Sequence, residues 1–373
     1  MTHKSFHPTP RTLMGPGPSD VHPRVLAAMA QPTIGHLDPE FIALMDDIKS
    51  LMRYAFKTEN ALTVPLSAPG SAGMEAAFCN LLEPGDKAIV CINGVFGMRQ
   101  AENVRRMGGE LITIEDEWGT QVDPEKLRAA LAEHPDTKVV SFVHAETSTG
   151  VCSDVATLCG LAREAGALTI VDSVTALGGI ELNVDEWGAD VVYSGTQKCL
   201  SCPPGISLIT FSEPAAERVR SRNTPVQSWF LDLSLLMAYW DGEGARTYHH
   251  TAPVNAMYGL HEALLMLHEE GLENAWARHR AQHEDLVAGL EGIGLEFVVD
   301  ARYRLPQLNL VQSPEGVNEA EVRKQLLSDF NLEIGAGLGA FAGKVWRIGL
   351  MGYAARSENV QLCVSGLKHC LGR

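Results

Sequence analysis

The stretch LTIVDSVTALGGIELNVDEWGADVVYSGTQK, residues 168–198, decides the fold. It opens on the apolar run LTIV, which ends in an acid, Asp172, and the second run, DVVYS (190–194), leads through a polar loop to Lys198. Short apolar runs rich in Val and Ile and bounded by turn residues read as strands buried on both faces. The same grammar extends outward in both directions. Strand-like runs stand at LTVPLS (62–67), KAIVCI (87–92), ELITI (110–114), KVVSFV (138–143) and ISLITF (206–211). Helically spaced segments lie between most of them, at 73–82, 96–107, 123–134 and 155–166. This alternation predicts an α/β fold, a large domain whose mostly parallel sheet is covered by helices on both faces.

Further out the pattern changes twice. PEFIALMDDIKSLMRYAF (39–56) has helical spacing, whereas the first twenty residues, with PTP and GPGP, predict an extended arm. GPGP (15–18) follows no run that reads as a strand. Beyond residue 254 two long helices are expected, at 254–271 and 272–293, followed by the short strands EFVV, QLNLV, LEIGA and KVWRIGL and a closing helix near 356–371. The expected division is therefore an arm at 1–20, a large domain at 21–271 and a smaller C-terminal α+β domain at 272–373.

Composition narrows the function. The chain has 373 residues, 45% hydrophobic and 20% charged, an ordinary globular balance. Its net charge of −16 argues against sequence-independent nucleic-acid binding, which depends on Lys and Arg neutralising phosphates. One basic run, Arg218, Arg220 and Arg222, reads as the solvated face of a surface helix. Several of the eight cysteines sit in apolar runs, as Cys91 does, and only Cys199 and Cys202 are spaced C-x-x-C, without a second pair or a His cluster. No metal site is expected. With no apolar leader and no stretch of membrane-spanning length, the expectation is a cytoplasmic protein with neither membrane nor nucleic acid as partner.

In an open α/β sheet, ligands bind outside the carboxyl ends of the strands. Asp172 stands at such an end, where it either caps a turn before Ser173 or meets a cation. Lys198 follows the next strand; alone it reads as a solvated surface lysine, but paired with Asp172 it fits a Schiff-base lysine with an acid for a pyridinium nitrogen. APGSAGMEAAF (68–78) is a strand–helix turn whose backbone amides suit a phosphate. Arg347, in the apolar strand KVWRIGL, seeks a carboxylate, either of a substrate or of an internal ion pair. The glycines of 335–343 fit no nucleotide loop: Ala340 and Ala342 break G-x-G-x-x-G, and Leu338 and Val345 break the Walker pattern. Phosphate turn, strand-end acid, strand-end lysine and arginine together fit pyridoxal 5′-phosphate.

At this point the sequence resembles a known family, the alanine–glyoxylate and serine–pyruvate aminotransferases of the class V, fold-type I pyridoxal-phosphate enzymes. The resemblance covers nearly the whole chain and is carried by LMGPGPS (13–19), INGVFG (92–97), HAETSTG (144–150), VDSVTALGG (171–179), YSGTQKCLSCPPG (193–205), YHHTAPV (248–254) and GKVWRIGLMG (343–352). It implies that Lys198 holds the cofactor covalently and that Asp172 pairs with its ring nitrogen. Phe96 would stack on one ring face and Val174 lie against the other. Gly70, Ser71 and Gln197 would hold the phosphate, with Tyr248 and Thr251 completing the site of the second subunit in a homodimer with shared active sites. Arg347 would clamp the substrate α-carboxylate, with Ser148 close by. The implied reaction is ping-pong transamination from a small L-amino acid, alanine or serine, to the keto acids glyoxylate or pyruvate; aspartate, ureidoglycine and aminoethylphosphonate are alternative donors. Two positions depart from the family: Phe96 stands where close relatives have Trp, and PGSAG replaces a Ser-Gly-His run, so that Pro69 has no amide to offer. A desulfurase would need a nucleophilic cysteine in the 335–344 loop, which has none, and a silent binding relative would lack Lys198 or Asp172.

Overall fold

A computed structural model describes residues 3–240 and 246–373. The larger sheet has seven strands in the order Leu62–Leu66, Ser207–Phe211, Val191–Gly195, Leu168–Asp172, Val139–Val143, Lys87–Ile92 and Glu110–Glu115. Ser207–Phe211 pairs antiparallel with both neighbours, and every other pairing in this sheet is parallel. Every residue of Val139–Val143 and of Val191–Gly195 is buried, as expected of central strands covered on both faces. The α/β fold class with a mostly parallel sheet is thus the observed one.

The helices begin and end where local chemistry directs. Pro39–Phe56 starts with Asp38 accepting from the Glu40 amide and with Pro39 in the first turn, where its missing N–H costs nothing, and it stops at Lys57 in the left-handed region. Gly70–Leu81 buries nine of its twelve residues against the sheet. Its approach is so close that a Cβ on Gly73 would sit 2.0 Å from Ser207 Oγ. One hydrophobic core gathers residues between Val25 and Ala275, and a second joins Met14 to residues between Leu286 and Leu367.

That second core overlies a four-stranded sheet ordered Thr12–Met14, Leu332–Ala336, Val345–Gly349 and Leu308–Gln312. The arm is therefore not merely extended. Thr12–Met14 pairs in parallel with residues 332–334, and GPGP does follow a strand. Three residues show no usable period, and their partner lies far along the chain, so no local signal marks them. EFVV, conversely, forms no sheet strand and makes one isolated bridge, Phe297 to Val311.

The basic run also differs from expectation. Arg222 lies beyond the helix Glu213–Arg220, and it and Arg218 turn inward. Arg218 Nε donates to Leu81 O at 2.8 Å, and Arg222 Nη1 donates to the carbonyls of Asn80 and Leu82 at 2.9 and 2.8 Å. They satisfy the orphan carbonyls at the end of Gly70–Leu81, a contact between distant segments that spacing cannot show. Arg220 alone, paired with Glu213 and Glu217, keeps the solvated role.

Met14 is fully buried in the second core. Met14→Ala should lower unfolding stability by about 2–5 kcal/mol, the usual range for such a truncation, as measured by urea denaturation. An unchanged midpoint would mean that the arm is not docked.

Candidate active site

The carboxyl ends of Leu168–Asp172 and Val191–Gly195 lie side by side, with Asp172 in register with Tyr193. That register places the phenol against the acid: Tyr193 Oη donates to Asp172 Oδ2 at 2.8 Å, while Val174 N donates to Oδ1 at 2.9 Å. The turn-capping bond and the buried acid are therefore both present. Burial pushes the Asp172 carboxyl up to about 6, against the downward pull of these two bonds and of Lys198 and Arg99.

Lys198 is 8% exposed, not a surface lysine. Burial, and then the charge of Arg347, lower its ammonium to about 8, with Cys199 and Asp172 pulling the other way. Its amine donates to the carbonyl of Pro16 in the arm. The arm is fixed there by Ser19, whose amide donates to Gln197 O at 2.9 Å and whose hydroxyl donates to Lys198 O at 2.6 Å. Gly17, at φ +98°, is required: a Cβ there would stand 2.6 Å from Lys198 Cδ.

These groups open on a cavity of about 200 Å³. Asp172, Lys198 and Gln197 line it from the strand ends, Gly70 and Ser71 from a helix N-terminus, and Phe96 and Val174 from two further segments. The structure thus brings together seven of the residues singled out in the sequence. Larger cavities of about 420 and 450 Å³ include neither Asp172 nor Lys198, so chemistry and not volume marks the site. The helix at Gly70 begins after Pro69 with no side-chain cap, leaving its first amides to an anion. Gln197 Oε1 is buried without a partner.

Arg347 and Ser148 lie just behind the cavity wall. Arg347 is 7% exposed and donates through Nε to Ala336 O at 2.6 Å and through Nη1 to Thr147 O at 3.2 Å; Thr147 itself lines the cavity. Among the described residues it forms no ion pair, so no internal salt bridge takes up its charge there. Burial lowers the guanidinium to about 10, with Glu146 drawing it back up. Ser148 is fully buried and gives both its amide and its hydroxyl to Glu146. Tyr248 and Thr251 are not part of this cavity: Tyr248 is 58% exposed, with its hydroxyl 3.4 Å from Thr251 Oγ1.

Sequence reasoning missed Met74, Arg99, Thr147 and Tyr193 in the cavity wall. Tyr193 had a signal, since neighbouring parallel strands that both end at the site bring their last residues together. Arg99 had one too, lying one helical turn beyond Phe96, where its guanidinium stands 4.9 Å over the Phe96 ring.

The sequence profile of the aminotransferase class-V family matches residues 13–361. The chain belongs to the class-V aminotransferases. Among its relatives, the alanine–glyoxylate aminotransferase of Rattus norvegicus is 41% identical over 363 residues, 97% of this chain and 87% of the relative. The (S)-ureidoglycine–glyoxylate transaminase of Bacillus subtilis (strain 168) is 38% identical over 381 residues, covering 97% and 91% of the two chains. The crystal structure of an alanine–glyoxylate aminotransferase from Nostoc sp. superposes with a TM-score of 0.97 at 46% identity, covering 100% of this chain and 98% of that one. This class-V aminotransferase is accordingly an enzyme of the transferase class.

Asp172 carries a linkage that can be measured on the cofactor-free aminotransferase. In the folded protein it titrates at about 6, above the ordinary aspartate value of 3.8, so folding favours its protonated form. The stability this contributes is complete below about pH 4 and is lost as pH rises through about 6. Asp172→Asn removes that dependence. Relative to wild type the variant should gain up to about 3 kcal/mol between pH 4 and pH 7, since each pH unit separating the folded and unfolded titrations is worth about 1.4 kcal/mol. Urea midpoints across pH read the gain. A difference that does not change with pH would show that the carboxyl is not held up by burial.

Proposed function

We propose that this aminotransferase works with pyridoxal 5′-phosphate and moves the amino group of a small L-amino acid, alanine or serine, to glyoxylate or pyruvate. The observation that carries this reading is one cavity holding a buried lysine near pKa 8, a buried carboxyl near pKa 6 and an uncapped helix N-terminus. The glyoxylate-using relatives support the acceptor.

The residues present fit the cofactor. The free amides at Gly70 and Ser71 suit the phosphate, and a rotated Gln197 amide, whose buried oxygen has no partner, would add an N–H donor. Phe96 and Val174 bound the space that a flat ring would fill. Ser71 and Pro69 leave fewer donors than the family pattern, but the helix amides remain. Bound there, pyridoxal phosphate supplies a conjugated ring that accepts the electron pair of the substrate Cα–H bond.

The chain's own residues do the rest. Asp172, ionised above about pH 6, would hold a proton on the ring nitrogen of the bound cofactor, because a nearby carboxylate favours the charged form. Lys198, neutral above about pH 8, would serve as the base for the substrate Cα proton and, once protonated, as the acid that returns it. Arg347 keeps Nη2 free of protein partners among the described residues, and that edge meets the α-carboxylate. Ser148, whose hydroxyl accepts from Val95 N at the start of the Phe96 helix, would lie close to the bound substrate.

The proposal extends to assembly. Exposed Tyr248 and Thr251 serve the cavity of a second copy in a homodimer, and their absence from the lining of their own cavity supports this. The large domain is 21–271 and the small domain 272–373. Eight cysteines, all free, accord with a cytoplasmic enzyme. The Bacillus relative keeps ureidoglycine as a second donor reading.

An absorbance scan decides. Purified protein given pyridoxal phosphate should develop a visible band that fades with L-alanine and returns with glyoxylate, and ranking of donors follows from swapping the amine. Lys198→Ala should lose the band and nearly all turnover; normal turnover by that variant sinks the assignment. Arg347→Ala should raise KM for α-carboxylate substrates roughly 10–100-fold, the equivalent of one charged hydrogen-bonded contact, with a smaller effect on kcat.

A further inference from the structure

Glu146 is the buried acid that the proposed chemistry does not use. It is 0% exposed, at the end of the short strand Ala145–Glu146, two residues before Ser148. A carboxylate so placed is costly unless its lone pairs are filled. They are filled by two segments of the site. Oε1 accepts from Ser148 N at 3.0 Å and Ser148 Oγ at 2.6 Å; Oε2 accepts from Phe96 N at 3.2 Å and Gly97 N at 3.4 Å.

The helix Val95–Arg106, which carries Phe96, begins at Gly94 and has no side-chain cap of its own. Its first amides are served from outside: Ser148 Oγ accepts from Val95 N at 2.9 Å, and Glu146 takes the next two. Burial pushes the Glu146 carboxyl up to about 7, and the bonds from Ser148 and Gly97 pull it back toward the ionised form, which the helix dipole at this end also favours. The fit is tight enough that a Cβ on Gly94 would stand 2.5 Å from Glu146 Cδ and from Ser148 Oγ. At φ 174° Gly94 is simply extended, so the glycine is there for space and not for backbone conformation.

One carboxylate thus ties together the residue that would stack on the cofactor ring and the serine beside the substrate. The charge of Glu146 also draws the Arg347 guanidinium back up, and Arg347 has no ion-pair partner among the described residues. We propose that Glu146 is a positioning residue, which caps the Phe96 helix in trans and fixes the Phe96 ring and Ser148 in register with the Arg347 clamp. The inference rests on the pyridoxal-phosphate reading of the cavity and adds to it the device that aligns its parts.

The test is a double-mutant cycle on cofactor affinity, read by tryptophan-fluorescence quenching of the cofactor-free protein, with visible circular dichroism of the loaded protein as second readout. Glu146→Gln keeps shape and volume but turns one acceptor into a donor that faces N–H or O–H groups. We expect about tenfold weaker pyridoxal-phosphate binding, a diminished dichroic band beside a retained absorbance band, and little further loss when Glu146→Gln is added to Phe96→Leu, because coupled residues are non-additive. Gly94→Ala should reproduce the Glu146→Gln changes by displacing the carboxylate, and its far-ultraviolet spectrum checks that the fold persists. Equal affinity and dichroism in Glu146→Gln and wild type, or full additivity with Phe96→Leu, overturns the inference while leaving the cofactor reading intact. A wild-type protein that takes up no pyridoxal phosphate overturns both.

Discussion

A carboxyl group held at the end of a strand inside a sheet covered on both faces is the constraint on which the rest of the site depends. Asp172 is satisfied by a phenol and a backbone amide but bonds to no cation, so burial drives it toward neutrality. Lys198, buried beside it, is driven toward neutrality from the other side. Such a pair is poorly stabilised by the protein alone, because the desolvation of two charges outweighs an attraction not closed by a direct contact. A positively charged heteroaromatic ring beside Asp172 would stabilise its ionised form and at the same time favour the neutral amine of Lys198, and any ligand that binds only the folded state also stabilises it.

Around that pair the backbone comes unusually close, and glycine marks each approach. Gly73 lets a helix lie on Ser207, Gly94 admits Glu146, and Gly17 clears the lysine side chain. The three sit on different segments: Gly17 and Gly73 serve a lysine and a helix that line the cavity, and Gly94 makes room for an acid buried behind its wall. Space at these positions matters as much as the polar groups, since a site built to hold a flat ring tolerates little displacement of its walls.

Much of this was legible in the sequence and some of it was not, for identifiable reasons. The runs around Asp172 and Lys198 are strongly patterned, and their strand-end positions point to one another through the geometry of parallel sheets. The helix Pro39–Phe56 matches its periodic segment at both ends because Asp38, Pro39 and Lys57 carry local start and stop signals. What escaped was set by distant partners. The strand Thr12–Met14 exists only because residues 332–334 lie beside it, and Arg218 and Arg222 are held by carbonyls more than a hundred residues earlier. Glu146 stood within a motif already singled out, yet its role appears only when the helix it caps is seen across the cavity. Tyr248 and Thr251 are the converse case, since their motif is explicit in the sequence but they do not line this cavity.

The arm has one more consequence, which concerns timing. Residues 12–19 are the first of the site to leave the ribosome, yet their strand partner, Leu332–Ile334, emerges only after the whole large sheet has been made. Asp172, Lys198 and the helix at Gly70 can assemble once that sheet is complete, but the Pro16 carbonyl is held against the lysine only when the arm and its distant partner have met. The final closure of the site is thus a long-range event, entropically late. Nascent protein stalled before residue 332 would hold the lysine without the arm strand's partner, so that competence for the reaction waits on synthesis of the smaller sheet.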